Sequence, residues 1–514
     1  MTTHDFHSYY YDATKREPVT SDFMLPAGTE MTADILRKLI TEHEQNHLER
    51  YQFLDAAYNT HYEIFGRDPK PDYRPDNRLA ADFAYDITQT FEGYFIGVPL
   101  DVKITDEAKQ DCLNEYIARN FQEDVDAELS KMASKFGHGY EMFYQDDEGN
   151  ARSVAISPLT SFMVYDNSVL KHPMFFVRYV YDDDGKLRGS FSDTEKVYHF
   201  QDGDDGLVID ESNAEPHSFG AVPAIDFMQN SEKRGLYEGV LNLIEAYNQV
   251  LSEKANDVEY FADAYMVVTG VELPDDFKED LREYKLINLH GQGEGVQIDV
   301  QFLAKPNGDA EQENLINRLE MLIFKMCMVP DITDESFSTA SGTALKMRMM
   351  PMNNLARNKE RKFVMGVKER LKLLANYPAM TQFTGDDWQQ VEITMHRNMP
   401  EDLAAEATVA GALAGIVSEE TQLGILSCVD DPQKERERKE AEQNAKALAL
   451  TDGMPTNRTA TTQRKASMYE ITSVLNQRRR GQLTYNNALR MLTDELGLEE
   501  ERARTLLDDK DSEE

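Results

Sequence analysis

The sequence predicts an α+β fold, mainly helical, and three observations carry that prediction. Long stretches place apolar residues at alternating three- and four-residue steps. One block, from Gly139 to Phe227, reads instead as a succession of β-hairpins. Two of the clearest helical stretches bracket a compact insert of alternating strand and helix character. With 514 residues and 41% apolar content, the chain has material for two to four folded domains.

Residues 1–29 read as an irregular, polar, flexible arm. From Thr32 to Tyr62, Ile35, Leu36, Leu39, Ile40, Leu48, Tyr51 and Leu54 fall on one helical face. GRDPKPDYRPDNR is a proline-rich loop. Phe83, Ile87 and Phe91, four apart, mark a second helix over Leu79–Gly93, and a strand follows in FEGYFIGVPLDVKI. A third helix is expected over Thr105–Gly137. YEMFYQDDEGNARSVAISP, FFVRYVYDDDGKLRGSFS and VYHFQDGDDGLVIDE each pair two strand-like runs around acidic residues and glycine.

Glu232–Phe261 and Asp309–Met328 are long amphipathic helices. The insert between them, Tyr265–Lys305, reads strand, short helix, strand, glycine turn, strand. A basic helix is then expected from Ser341 to about Leu374, interrupted or entered at Pro351. VEITMHRNMP is a lone strand, Ala404–Leu426 and Gln433–Leu450 are helical, and Thr451–Ser467 is a linker. Val474–Leu507 is a small amphipathic helical pair, followed by an acidic tail.

Charge narrows the possible functions. Ninety-three acids against 54 bases leave a net charge of -39, which argues against ordinary nucleic-acid or anionic-lipid binding, because both need a basic face. It does not exclude a protein that lets DNA pass without holding it. Against this background, Ala344–Lys372 carries nine bases and only two acids, Glu360 and Glu369. Such a segment either contacts phosphate or pairs with acids on a neighbouring chain. No apolar run is long enough for a membrane helix, no secretory signal is read at the N-terminus, and three widely spaced cysteines suit a reducing cytoplasm.

His43-Glu44-Gln45-Asn46-His47 matches H-E-x-x-H, which on a helix can hold zinc with Glu as general base. Its polar flanks and the lack of a suitably spaced third ligand favour an ordinary solvated helix face. A metalloprotease is the enzymatic alternative. Asp182–Gly185 and Asp202–Gly206 read as hairpin turns rather than cation loops, and Gly291–Gly295 as a turn between strands. With no P-loop, nucleophile elbow or CxxC, no catalytic residue, metal or cofactor is expected, and the chain is not read as an enzyme.

Four segments, in order, carry a family resemblance: Pro75–Val102, Glu232–Gly270 (EKRGLYEGVLNLIEAYNQVLSEKANDVEYFADAYMVVTG), Val329–Met352 (VPDITDESFSTASGTALKMRMMPM) and Ile393–Asp402 (ITMHRNMPED). Over roughly Asp76–Asp402 the chain resembles the portal proteins of tailed bacteriophages, in the branch of siphophages from Gram-positive hosts. The resemblance implies a subunit with wing, stem, clip and crown, assembling as a ring, usually of twelve, around a channel for double-stranded DNA. It places the wing at 30–231 and 377–400, the stem helices at 232–262 and 309–329, and the clip at 263–308. The tunnel loop and basic helix take 330–376 and the crown and tail 401–514. It implies a site at one vertex of the virion, assembly in the host cytoplasm, and work in genome packaging and ejection. The implied partners are the terminase large subunit, head-completion or adaptor proteins, and the major capsid and scaffolding proteins, with no membrane. Within that frame Lys346, Arg348, Arg357 and Lys359 are candidates to face DNA. Leu236, Val240, Leu243 and Tyr247 are expected at the contact between neighbouring stems. An acidic scaffold or adaptor that never touches DNA is the remaining alternative.

Overall fold

The computed structural model describes residues 22–71, 74–262, 266–269, 286–289, 299–302, 309–333, 342–398, 403–426, 428–429, 431–452, 468–479, 483–496 and 498–508. The chain divides into two compact units, Met1–Met399 and Pro400–Glu514. The fold is about 52% helical, and among the described residues the strands lie in four sheets.

In the first unit, β1 (Phe23–Leu25) precedes α1 (Ala33–His43), which runs through a π-helical turn at Glu44–Leu48 into α2 (Glu49–Tyr58). Thr32 caps α1 by accepting a hydrogen bond from the Ile35 amide. Residues 22–29, expected within the arm, are built into the fold: β1 pairs in parallel with β5 (Ser161–Asp166), a strand the hairpin reading passed over. Phe23 there packs at a tilt against Phe162, with ring centroids 4.5 Å apart.

The third helix proves to be two. α3 (Phe83–Phe95) and β2 (Asp101–Lys103) are followed by α4 (Glu107–Asn120) and α5 (Gln122–Phe136). Phe121 separates α4 from α5 in the left-handed region, at φ +49°. β3 (His138–Gln145) and β4 (Ala151–Ile156) form the first hairpin, and β10 (Ala224–Met228) adds to β3. Strands β6 (Pro173–Tyr181), β7 (Leu187–Ser192), β8 (Lys196–Gly203) and β9 (Gly206–Pro216) complete a six-stranded sheet in the order β1-β5-β6-β7-β8-β9. Asp182 closes its turn by accepting from the amides of Asp184 and Lys186, so that acidic cluster is a hairpin turn.

The two long helices are α6 (Leu241–Ala262) and α7 (Asp309–Cys327). Between them β11 (Met266–Thr269), β12 (Leu286–Leu289) and β13 (Asp299–Phe302) form a sheet in the order β12-β11-β13. The short helix and glycine turn expected in this insert lie outside the described residues.

α8 (Gly342–Ala375) is the basic helix, unbroken for 34 residues with Pro351 inside it. The supposed lone strand, β14 (Glu392–Thr394), pairs antiparallel with β2. One large core joins the aromatics of α3 (Phe83, Phe91, Phe95) to Phe227 on β10 and Phe363 on α8. The second unit contains α9 (Leu403–Ala412), α10 (Glu419–Leu423), α11 (Pro432–Asp452), α12 (Met468–Arg479), α13 (Tyr485–Arg490) and α14 (Glu500–Asp508). Its C-terminal part is a three-helix cluster rather than a pair, closed over Val474, Ala488, Leu492, Ala503 and Leu507.

Candidate functional site on the long basic helix

α8 has two faces of different chemistry. At about 3.6 residues per turn, Met352, Ala356, Lys359, Phe363, Val367, Arg370 and Leu374 share one side, and all seven are buried. Gly366 lies on this side where a Cβ would stand 2.7 Å from the Phe227 ring, so glycine lets the helix rest on β10. Met347, Met350, Arg357, Arg361, Met365 and Lys368 share the opposite, exposed side.

Two of the nine bases are therefore internal. Lys359 is 0% exposed. Its Nζ donates to Glu92 Oε1 at 2.7 Å, to the Ser130 carbonyl at 2.9 Å and to Ser134 Oγ at 2.9 Å. It also lies 4.7 Å from the centre of the Phe95 ring. Burial lowers its pKa, and the neighbouring Glu92 carboxylate works against that shift. Three turns later Arg370 donates through Nε to Glu141 at 2.8 Å and through Nη2 to Asp126. Here burial also disfavours the charge, but two carboxylates outweigh it and raise the Arg370 pKa. A charge in the interior is tolerated only when paired and hydrogen-bonded, and both bases meet that condition.

The expectation that Lys359 faces DNA is thus corrected: the subunit's own Glu92, Ser130 and Ser134 use its ammonium. Lys346, Arg348 and Arg357 are exposed.

The stem residues need a parallel correction. Leu236 and Val240 are 8% and 1% exposed within the single chain, and Leu243 and Tyr247 pack on the same core. The Tyr247 ring meets Phe83 edge-on at 4.9 Å. Leu236 and Val240 are covered by the subunit itself, whereas Leu243 and Tyr247 are only half-buried in the single chain. A further device was missed. Asn248, Ser252 and Asn256, four apart on α6, accept from the backbone amides of Ala81, Leu79 and Asn77 at 2.9, 2.9 and 2.6 Å. The signal for it was three polar residues at helical spacing on a covered face.

The H-E-x-x-H segment is also not a solvated face. His43 and His47 are buried, with parallel-stacked rings 6.0 Å apart. His43 Nε2 donates to the Pro158 carbonyl at 3.0 Å, which leaves Nδ1 to accept from the Tyr179 hydroxyl at 2.8 Å. Neither nitrogen keeps a lone pair for a metal, and Glu44 accepts from the Tyr181 hydroxyl. The pair borders a cavity of about 20 Å³, shared with Arg50, His138 and Lys233. Burial first, then the other histidines, pushes His43 down to about 3. Burial, His138, Arg50 and Lys233 push His47 down to about 4.

A family model for the phage portal protein, SPP1 Gp6-like, matches residues 37–447. The portal protein of Bacillus phage SPP1 is 23% identical over 440 residues, covering 80% of this chain and 86% of that protein. The portal protein of Clostridium phage phiCD119 is 22% identical over 238 residues, covering 46% of this chain and 52% of its own length. Among solved structures, a chain from the neck of an empty gene transfer agent particle is similar at a TM-score of 0.41 and 11% identity, covering 73% of this chain and 93% of that chain. A chain from the neck of the native particle gives 0.41 and 13%, covering 67% and 89%.

Proposed function

This chain belongs to the SPP1 Gp6-like family of phage portal proteins, and on that footing we propose that it forms a ring, of twelve copies, at one vertex of the capsid. The ring is the channel through which double-stranded DNA enters the head during packaging and leaves at ejection. The observation that carries this reading is the family match across residues 37–447. The protein is a structural component of the virion and head-tail connector.

The parts take the roles the family gives them. Residues 30–231 and 377–400 make the wing, 232–262 and 309–329 the stem, 263–308 the clip, and 401–514 the crown. The clip receives the terminase large subunit during packaging and a head-completion protein afterwards. Residues 330–376 supply the tunnel loop and the long helix, and Lys346 and Arg348, nearest that loop, meet phosphate. Twelve copies at -39 each carry about -470 in total, a field that keeps DNA from sticking to the channel wall.

Electron microscopy and native mass of the purified full chain test the ring. The expected result is a closed ring with a central hole. A monomer or dimer under all conditions would overturn it and favour an acidic adaptor. Charge reversal at Lys346 and Arg348 tests the DNA contact: rings should form while packaging or retention of DNA falls. Loss of ring formation instead would mean that these bases pair between subunits. The metalloprotease alternative is not retained, because both ring nitrogens of His43 are committed to the fold.

A further inference from the structure

We propose that the outward stripe of α8 is a seam that docks on the acidic α4/α5 elbow of a second copy of this chain. This rests on the ring reading and names the surfaces that would build it.

The stripe combines two kinds of side chain. Met347, Met350 and Met365 are 67%, 48% and 46% exposed, and Arg357, Arg361 and Lys368 alternate with them on the same side. A surface made only to meet phosphate has no use for three exposed thioethers. Methionine is flexible and polarisable and suits an adaptable protein contact, with a preference for aromatic rings. The complement must therefore be acidic and carry an apolar, preferably aromatic, group.

The elbow at Phe121 has that composition. Phe121 is 78% exposed and sits at φ +49°, a left-handed conformation that L-residues seldom adopt. Its ring gains no burial within the chain in return. Glu123 and Asp124, the next charged residues, are exposed beside it. A strained, exposed aromatic followed by two exposed acids and an uncovered stripe of methionines between bases are two separate oddities, and one contact accounts for both.

A copy's stripe is turned away from its own elbow. Arg370, on the opposite side of α8, reaches down to Asp126 on α5, two helical positions beyond Asp124. The stripe thus looks outward from the layer that contains the elbow, and the elbow that covers it belongs to another copy. Contact between two different surfaces of identical chains is head-to-tail, which is the arrangement that closes rings. Arg357 lies on this stripe and is assigned to the seam rather than to DNA.

The test uses the full chain with native mass and sedimentation velocity. R361E/K368E and, separately, E123K/D124K should each cut assembly at least tenfold at fixed protein concentration, with the circular dichroism spectrum of the folded subunit unchanged. Combining both pairs in one chain should restore most of the assembled species. A photo-crosslinker in place of Phe121 should capture peptides from 347–368 of a neighbour. If wild type assembles and all of these variants assemble equally, the seam is elsewhere and the ring reading stands. If both single swaps fail to assemble and the combination does not rescue, the elbow is not the stripe's partner. If wild type itself never assembles, the ring reading falls and takes this proposal with it.

Discussion

The His43–His47 stretch of the N-terminal helix and the long basic helix each press two nitrogen bases into the interior, and they do so by opposite means. α8 keeps its bases charged. Lys359 has Glu92 and two serines; Arg370 has Asp126 and Glu141. The α1–α2 helix supplies no carboxylate to His43, and burial leaves both histidines neutral in the native fold. A histidine escapes the cost of a buried charge by giving up its proton; an arginine does not have that route. The difference sets how each region fails: one by losing a partner, the other by gaining a proton.

The largest effect should come from breaking an α8 pair. Lys359→Met or Arg370→Met leaves buried carboxylates without their cation, and each should cost about 3–5 kcal/mol of stability in urea unfolding. A loss below about 1 kcal/mol would mean that the carboxylates are protonated and the two regions are alike after all. Acid should act next, on the histidines. Their native pKa values lie below the ordinary 6.5, so the unfolded chain takes up protons first as pH falls. Stability therefore declines from about pH 6.5 toward the native values, by roughly 2 kcal/mol per histidine between pH 7 and 5. His47→Phe should remove its share of that slope, read as the difference from wild type in urea midpoints at the two pH values. A slope unchanged in the variant would show that His47 is not the titrating group.

Removing both members of a pair should do far less than removing one. Glu92→Leu with Lys359→Met should change stability by about 1 kcal/mol or less, since a buried pair returns little more than its own desolvation. That double mutant completes a thermodynamic cycle whose coupling energy measures the pair directly. The smallest effect belongs to the outward bases: Arg357→Gln or Lys368→Gln should shift the monomer's stability by no more than about 0.5 kcal/mol.

Much of this architecture was legible in the sequence because periodicity survives burial. The hairpins over 138–216, the helix pair around the small sheet, and the length of α8 all follow from spacing and turn residues. Three strands escaped, one of them Ala224–Met228, which joins β3 from outside the hairpins. Phe23–Leu25 is only three residues long, and Ser161–Asp166 has no glycine turn of its own to announce it. Phe121 escaped too, since nothing about a phenylalanine predicts a left-handed break between α4 and α5. The stem residues were read correctly as wanting cover, but periodicity says which face is buried and not by what; segment 77–95 of the same chain lies against α6. Lys359 and Arg370 were the avoidable miss. Placed on the helix with Met352, Ala356, Phe363 and Val367, they fall on the apolar side, and a base there signals an internal carboxylate before it signals DNA.

The spacing of those two anchors constrains how this gene can change. Eleven residues separate Lys359 from Arg370, close to three whole turns, so both reach inward from one line along the helix. A single residue inserted or deleted between them would turn Arg370 by about 100° relative to Lys359, away from Asp126 and Glu141. Point substitutions on the outer side leave the alignment untouched. Length variation in α8 should therefore be tolerated outside Lys359–Arg370 and eliminated within it, while the composition of the outer stripe is free to drift together with whatever surface it meets.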